Sequence, residues 1–188
     1  MKILINFLLS IVILCCVILT ITWFSIYRIQ GNSMFKTIHS GNSVLVWEKN
    51  NLPKVFKKNE IVLFNKKLND ENIIYVKRIT AGPGDIIKVN SEELIMNGKV
   101  YPHDEIYYLM SDNAKTKSRE YINYLMKESK ECEKENSFKA KVKVSSTIYS
   151  IPNKCYFLIG DNPYESMDSR FFGVIHEDRI LGKVIAVF

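Results

Sequence analysis

The sequence is poor in the residues that staple small folds or bind metals. Four cysteines occur in 188 residues, and two of them, Cys15 and Cys16, lie side by side in an apolar stretch. No C-x-x-C pair and no Cys/His spacing suited to zinc is present, which excludes zinc modules and disulfide-dense scaffolds. Cys132 and Cys155 suit either a disulfide or two free thiols. Eight glycines and five prolines are too few for a collagen-like or low-complexity chain. Only three histidines are present, so imidazoles for acid–base work are scarce. Charge is missing altogether between Ile3 and Tyr27.

That uncharged run covers twenty-five residues, interrupted only by Asn6, Ser10, Thr20, Thr22 and Ser25. As a helix it would reach ~37 Å at ~1.5 Å per residue, against a hydrocarbon core of ~30 Å. A cleaved leader has an apolar core of only ~7–15 residues and a small-residue cleavage site. Arg28-Ile29-Gln30-Gly31 offers no such site. Residues 1–30 therefore read as an uncleaved single-pass anchor in a lipid bilayer, with Trp23 and Tyr27 at its far interface and a buried core helix as the alternative. Lys2 and Arg28 nearly balance, so charge alone leaves the orientation open. A mean hydropathy of −0.05 conceals this division between an apolar front end and an ordinary charged domain.

Basic residues outnumber acidic ones, 26 − 20 = +6. Lys54, Lys57, Lys58, Lys66 and Lys67 are spread over what read as surface turns. No recognition helix or stacking pattern accompanies them, which argues against a nucleic-acid partner. A solvated face near anionic headgroups fits better.

Residues 31–188 read as one mostly β domain. Val44–Trp47, Ile61–Phe64, Ile73–Ile79, Ile86–Val89, Leu94–Met96, Tyr156–Ile159 and Leu181–Val187 are short apolar runs bounded by polar or turn residues. Asn97-Gly98 predicts a tight hairpin before Lys99-Val100-Tyr101, and Gly82-Pro83-Gly84-Asp85 predicts a turn. The stretch about 105–145 differs. From Ser111 to Lys143 it carries nine basic and six acidic residues, and Tyr121, Ile122, Tyr124 and Leu125 fall on one helical stripe after a Ser118 cap. It reads as a variable, partly helical insertion.

Chemistry concentrates in three segments. Ser33 lies six residues beyond Tyr27, hence within ~20 Å of the membrane boundary even on a fully extended link. A serine needs a base, and the candidates are His39, His103, His176 or a lysine. A lysine serves only when neutral, which requires burial to lower its pKa from ~10.4. Lys77 fits best: at a period of two it shares a strand face with Ile73, Tyr75 and Ile79, while Arg78 points the other way. The competing reading is a strand-edge lysine that snorkels to water. Asp168 and Arg170, two apart on an extended segment, are spaced for an ion pair. Alone, Gly160 to Gly173 reads as a structural loop.

Taken together these segments resemble the type I signal peptidase family of membrane-bound serine–lysine proteases. Ser33-Met34-Phe35-Lys36-Thr37 is similar to its Ser-Met-x-Pro-Thr motif, with Lys36 in place of Pro. Lys77 through Asp85 is similar to its Lys-Arg-(Ile/Val)-x-Gly-x-Pro-Gly-Asp motif, with Ala81 for the first Gly. Gly160 through Gly173 meets every fixed position of its third box, although Pro163 stands where a basic residue is usual.

The resemblance implies a signal-peptidase-like β domain in which Ser33 is the nucleophile and Lys77 the general base. Ser166 would orient the amine, and Asp168 and Arg170 would brace the site. The Ser33 N–H would serve the oxyanion, with Met34 and Phe35 beside the substrate. Some relatives carry a hydroxyl at the position of Gly31, so a second oxyanion donor is missing here or comes from elsewhere. No metal or cofactor is implied.

The partners implied are signal-peptide-bearing preproteins and the lipid bilayer, with the enzyme acting as a monomer. The location implied is the bacterial plasma membrane, amino terminus cytoplasmic and catalytic domain outside. A dedicated peptidase of a conjugative or pilus system is the alternative role. Readings of other classes are an inactive membrane-anchored β module, a histidine-based protease, and a LexA-type self-cleaving regulator. The last would need a DNA-binding helix-turn-helix where this chain has an apolar run.

Overall fold

A computed structural model describes residues 2–51, 55–68, 71–89, 93–102, 132, 141–143 and 146–188. The first element is a helix, α1 (Lys2–Trp23). The expected twenty-five-residue helix stops short, because Phe24–Arg28 forms a strand, β1, instead. At Phe24 the chain turns to a short run of aromatic and β-branched residues, and its backbone groups find partners on β2 (Ser43–Glu48). Trp23 and Phe24 also pack against Trp47, with ring centroids 6.4 and 6.2 Å away. Tyr27 thus belongs to the sheet rather than to a helix end. Every described side chain from Ile3 to Leu14 is exposed. Among the described residues, no helix is both long and apolar enough to cross a membrane.

The β domain holds β3 (Ile61–Leu68), β4 (Glu71–Ala81), β5 (Ile86–Val89), β6 (Glu93–Met96), β7 (Lys99–Pro102), β8 (Lys141–Lys143), β9 (Ser146–Ser150), β10 (Cys155–Ile159), β11 (Ile175–His176) and β12 (Ile180–Val187). A short helix, α2 (Ser169–Phe172), precedes β11. One sheet runs β1-β2-β12-β3-β4-β10-β11 and the other β7-β6-β5-β9-β8. The described pairings are antiparallel throughout, as short strands joined by hairpins require. The Asn97-Gly98 hairpin forms as expected, with φ of +51° and +77°. Of the insertion about 105–145, Cys132 and β8 are described. The Ser118 cap and the stripe of Tyr121, Ile122, Tyr124 and Leu125 lie outside the described residues.

Three apolar clusters fill the interior, and β4 reaches all of them. Ala81 joins Ile87, Leu94, Phe157 and Ile159 beneath the second sheet. Ile79 joins Val62, Phe64, Tyr156 and Leu158, while Val76 joins Val44, Val46 and Leu63. All five residues of β10 are buried because its two faces serve different clusters. Cys132 and Cys155 form a disulfide inside the first cluster, their Cα atoms 6.2 Å apart. The sequence left that pairing open; it ties the insertion to β10. At Gly182 on β12 a Cβ would lie 2.5 Å from the Trp47 carbonyl oxygen, so only glycine lets β12 approach β2 this closely.

Candidate active site

Ser33 stands on the loop between β1 and β2. Main-chain bonds of 2.8 Å, Ile29 N–H to Asn42 O and Gly41 N–H to Ile29 O, close that loop. Met34 (1% exposed) and Ile38 (0%) pin it down by entering the cluster of Val44, Val46, Leu63 and Val76. The expectation that Met34 faces substrate gives way here: its side chain is core, and its Sδ lies 3.4 Å from the Asp161 N–H. Phe35 is 53% exposed and packs edge-on against His39, centroids 4.8 Å apart. With Met34 held inward, the half-buried Ser33 hydroxyl turns toward β4.

On β4 the hydroxyl meets Lys77. Its Nζ lies 2.7 Å from Ser33 Oγ and donates to the Val76 carbonyl at 2.9 Å. The Tyr75 ring centroid is 5.6 Å away. Lys77 is 2% exposed, so the snorkelling alternative does not describe it. Burial lowers its pKa to about 8; Asp168 and Asp161 pull upward and Arg170 adds a smaller downward push. The amine therefore exchanges its proton near physiological pH while touching a hydroxyl.

A buried polar bracket supports this pair. Ser166 Oγ donates to Asp168 Oδ2 at 2.6 Å, and Arg170 Nε donates to Asp168 Oδ1 at 2.9 Å. Asp168 and Arg170 are both 0% exposed. They are not on an extended segment as expected: Asp168 caps α2, accepting the Arg170 N–H at 3.1 Å, so the two side chains meet within one helical turn. Gly160 N–H donates to Asp168 Oδ2 at 3.0 Å, and Asn162 N–H donates to the Ser33 carbonyl at 2.9 Å. A Cβ at Gly160 would lie 2.2 Å from Ser166 Oγ and 2.5 Å from the Ser33 oxygen. Glycine is thus required for the third segment to lie against the serine loop. The partners of Lys77 Nζ are Ser33 and Val76; the Ser166 hydroxyl is turned to Asp168. Among the described residues the Ser33 N–H donates to no main-chain acceptor.

Arg78, pointing away from Lys77, grips Asp161 with two bonds, Nε to Oδ1 at 2.8 Å and Nη2 to Oδ2 at 2.6 Å. Burial alone would raise the Asp161 carboxyl, but Arg78 and the Thr37 hydroxyl outweigh it and hold it below its usual range. Sequence reasoning did not assign Asp161 or Gly160 a role. Their signal was the fixed Gly-Asp opening of the third segment. Of the histidines, His39 packs on Phe35 and His176 Nδ1 accepts the Asp178 N–H at 3.3 Å. The Ser33 hydroxyl is met by Lys77 instead, and His103 lies outside the described residues.

A groove of about 530 Å³ opens at Ser33, walled by Tyr27 to Asn32 on one side and by Ile73 to Lys77 on the other. It suits an extended peptide, since β1 ends its sheet and its outer edge is unpaired among the described residues. No group of His, Cys, Asp and Glu among the described residues is placed to hold a metal.

A hydroxyl held against a buried amine on an antiparallel β domain is an arrangement in which an amine can take a proton from a nucleophile. The family described as "Signal peptidase, peptidase S26" matches residues 2–188. The chain is 34% identical over 160 residues to Signal peptidase IB of Staphylococcus aureus (strain COL), covering 84% of this chain and 74% of that one. It is 32% identical over 170 residues to Signal peptidase I T of Bacillus subtilis (strain 168), covering 88% and 74%. A solved signal peptidase I from Enterococcus faecalis V583 overlaps it with a TM-score of 0.37 at 20% identity, over 70% of this chain and 97% of that one. On the family match and the sequence identities, the chain belongs to the signal peptidase family, peptidase S26. It is a serine-type endopeptidase, a hydrolase of the class that processes signal peptides.

Proposed function

We propose that this chain removes signal peptides from exported preproteins at the outer face of a bacterial plasma membrane, with Ser33 as nucleophile and Lys77 as general base. The observation that carries the reading is the 2.7 Å approach of Ser33 Oγ to an amine that is 2% exposed. The substrate lies extended in the groove between Tyr27–Asn32 and β4, its scissile carbonyl over Ser33. Neutral Lys77 takes the hydroxyl proton as Oγ adds to that carbonyl. The Ser33 N–H faces the developing oxyanion, an interaction worth ~3–4 kcal/mol of barrier in comparable sites. The ammonium then gives its proton to the leaving amine, and the acyl-enzyme remains. Lys77, neutral again, activates water to release it. Asp168, Arg170 and Ser166 act as positioning residues: they fix the Gly160–Asn162 segment that grips the Ser33 carbonyl.

Membrane anchoring by α1 is part of the same proposal. The helix has 22 residues and exposes Ile3 (87%), Leu4 (63%), Phe7 (62%) and Leu14 (59%). In water each such side chain forgoes ~1.5–3 kcal/mol that an apolar phase returns. The disulfide supports an outer location for the domain, since such bonds persist in oxidising compartments.

The test is direct. The detergent-solubilised protein is incubated with a preprotein and the products are read by mass spectrometry. A single cut after the leader, absent with Ser33→Ala, is expected; intact preprotein, or the same cut made by Ser33→Ala, refutes the reading.

A further inference from the structure

A second recess, of about 590 Å³, lies beyond the Ser33 loop from the peptide groove. Where β4 residues up to Lys77 wall the first groove, Arg78 and Thr80 line this one. Gly160, which lines the second, lies against the carbonyl of Ser33, which lines the first. A chain cut at Ser33 has its leading part in the first groove, so its trailing part must leave past this loop.

The lining is cationic: Lys36, Lys58, Arg78 and Lys99 against the carboxylate of Asp161; Lys58 is already paired with Asp85 Oδ1 at 2.7 Å, so Lys36 and Lys99 carry the excess. The Asp161 carboxylate is already engaged by Arg78, and Lys99 adds its field on the same group. Asn59 adds an amide able to bond a passing main chain, while the Asn97 amide is held by the Thr80 carbonyl and Lys58. Two of the positions where the motifs depart from their usual residues, Lys36 and Pro163, both fall on this recess. One departure adds a charge and the other sets a rigid wall.

We propose that the recess receives the residues following the cut and selects acidic side chains among them. The proposal rests on the peptidase reading above and narrows its substrate class to preproteins whose mature segment begins with acidic residues.

The experiment uses the full chain in non-ionic detergent and three presequence peptides, identical before the cut and carrying Glu-Asp, Gln-Asn or Lys-Lys just after it. At low ionic strength kcat/KM should fall in that order, with about a tenfold advantage of the acidic over the neutral peptide. The advantage should shrink toward one in Lys36→Gln/Lys99→Gln and at high salt, because these lysines are exposed. Equal kcat/KM for the three peptides, or an undiminished advantage in the double variant, overturns the proposal while leaving the peptidase intact. Binding is measured separately, as fluorescence anisotropy of a labelled acidic mature-side peptide on Ser33→Ala. Loss of that binding in Ser33→Ala/Lys36→Gln/Lys99→Gln is expected. Displacement of the probe by phosphatidylglycerol vesicles but not by unlabelled acidic peptide would make the recess a lipid site and end the proposal. Charge-dependent binding without cleavage of any of the three peptides would instead refute the peptidase reading and leave the acidic-peptide site standing.

Discussion

Two cations one residue apart on β4 live in opposite electrostatic worlds. Lys77 faces the serine loop, is 2% exposed and has no carboxylate within bonding distance among the described residues, and burial brings its amine to about 8. Arg78 faces the other way, grips Asp161 through two bonds, and is pushed upward from its ordinary value, first by that hydrogen bonding. The strand's period of two is what separates them. Buried out of bonding reach of a carboxylate, a cation is pushed toward its neutral form; paired with one, it becomes a strut. The largest expected effect breaks the first half of this comparison. Lys77→Arg keeps a positive charge that cannot be shed, so kcat/KM for a presequence peptide should drop by roughly 10³-fold or more. In the wild-type protein the rate should rise with pH through a midpoint at about 8, as the amine loses its proton. A flat profile between pH 6 and 9, or an active Lys77→Arg, would show that another group is the base.

The second effect is on stability, and its sign is opposite to that on activity. The folded pKa of Lys77 lies below its unfolded value of 10.5, so between about 8 and 10.5 the unfolded chain binds the extra proton. Stability therefore climbs with pH across that window, and below about 8 the whole penalty of a buried charge is present. Lys77→Met removes the penalty. At pH 7 it should stabilise the inactive protein by up to about 3 kcal/mol, the worth of a shift of that size, and the gain should fade as the pH approaches 10.5. Urea unfolding at pH 7 and pH 10 checks both halves. A destabilised Met variant at pH 7 would mean that the bond to the Val76 carbonyl outweighs the buried charge. On the proposed mechanism the site keeps its base at a cost in stability, as catalytic groups often do.

Much of this was legible in the sequence, for identifiable reasons. Apolar runs such as Ile61–Phe64 and Tyr156–Ile159 are bounded by turn residues, and all became strands. Lys77 was legible because its neighbours at a period of two are Tyr75 and Ile79, which pack in the cluster of Phe64 and Leu158. The start of β1 was not, since Phe24 to Tyr27 continues the apolar composition of α1 without a break. Composition does not distinguish a strand from a helix when two apolar segments are joined end to end. β9 was missed because Ser146-Thr147-Ile148-Tyr149-Ser150 offers only a short apolar centre, and β11 because two residues carry no period. Met34 was misread because it adjoins the nucleophile, whereas only the three-dimensional loop shows it turned inward. The Asp168 cap is equally invisible, since ion-pair spacing of two fits a strand and a helix start alike.

The smallest effect tests the strut. Arg78→Lys keeps the charge but offers one ammonium where a planar fork had bonded both oxygens of Asp161 and, through Nη1, the Asn59 carbonyl at 2.8 Å. The Arg78 side chain is 28% exposed and that of Asp161 13%, so water replaces part of what is lost. A loss of about 1–2 kcal/mol is expected. Because Asp161 follows Gly160, which lies against the Ser33 carbonyl, a loosened Asp161 should also let the nucleophile wander. The expected signature is a fall in kcat of a few fold with the pH midpoint unmoved, since Lys77 itself is untouched. If instead the midpoint moves by a full unit, Arg78 and Lys77 share one electrostatic unit and the division between the two faces of β4 is wrong.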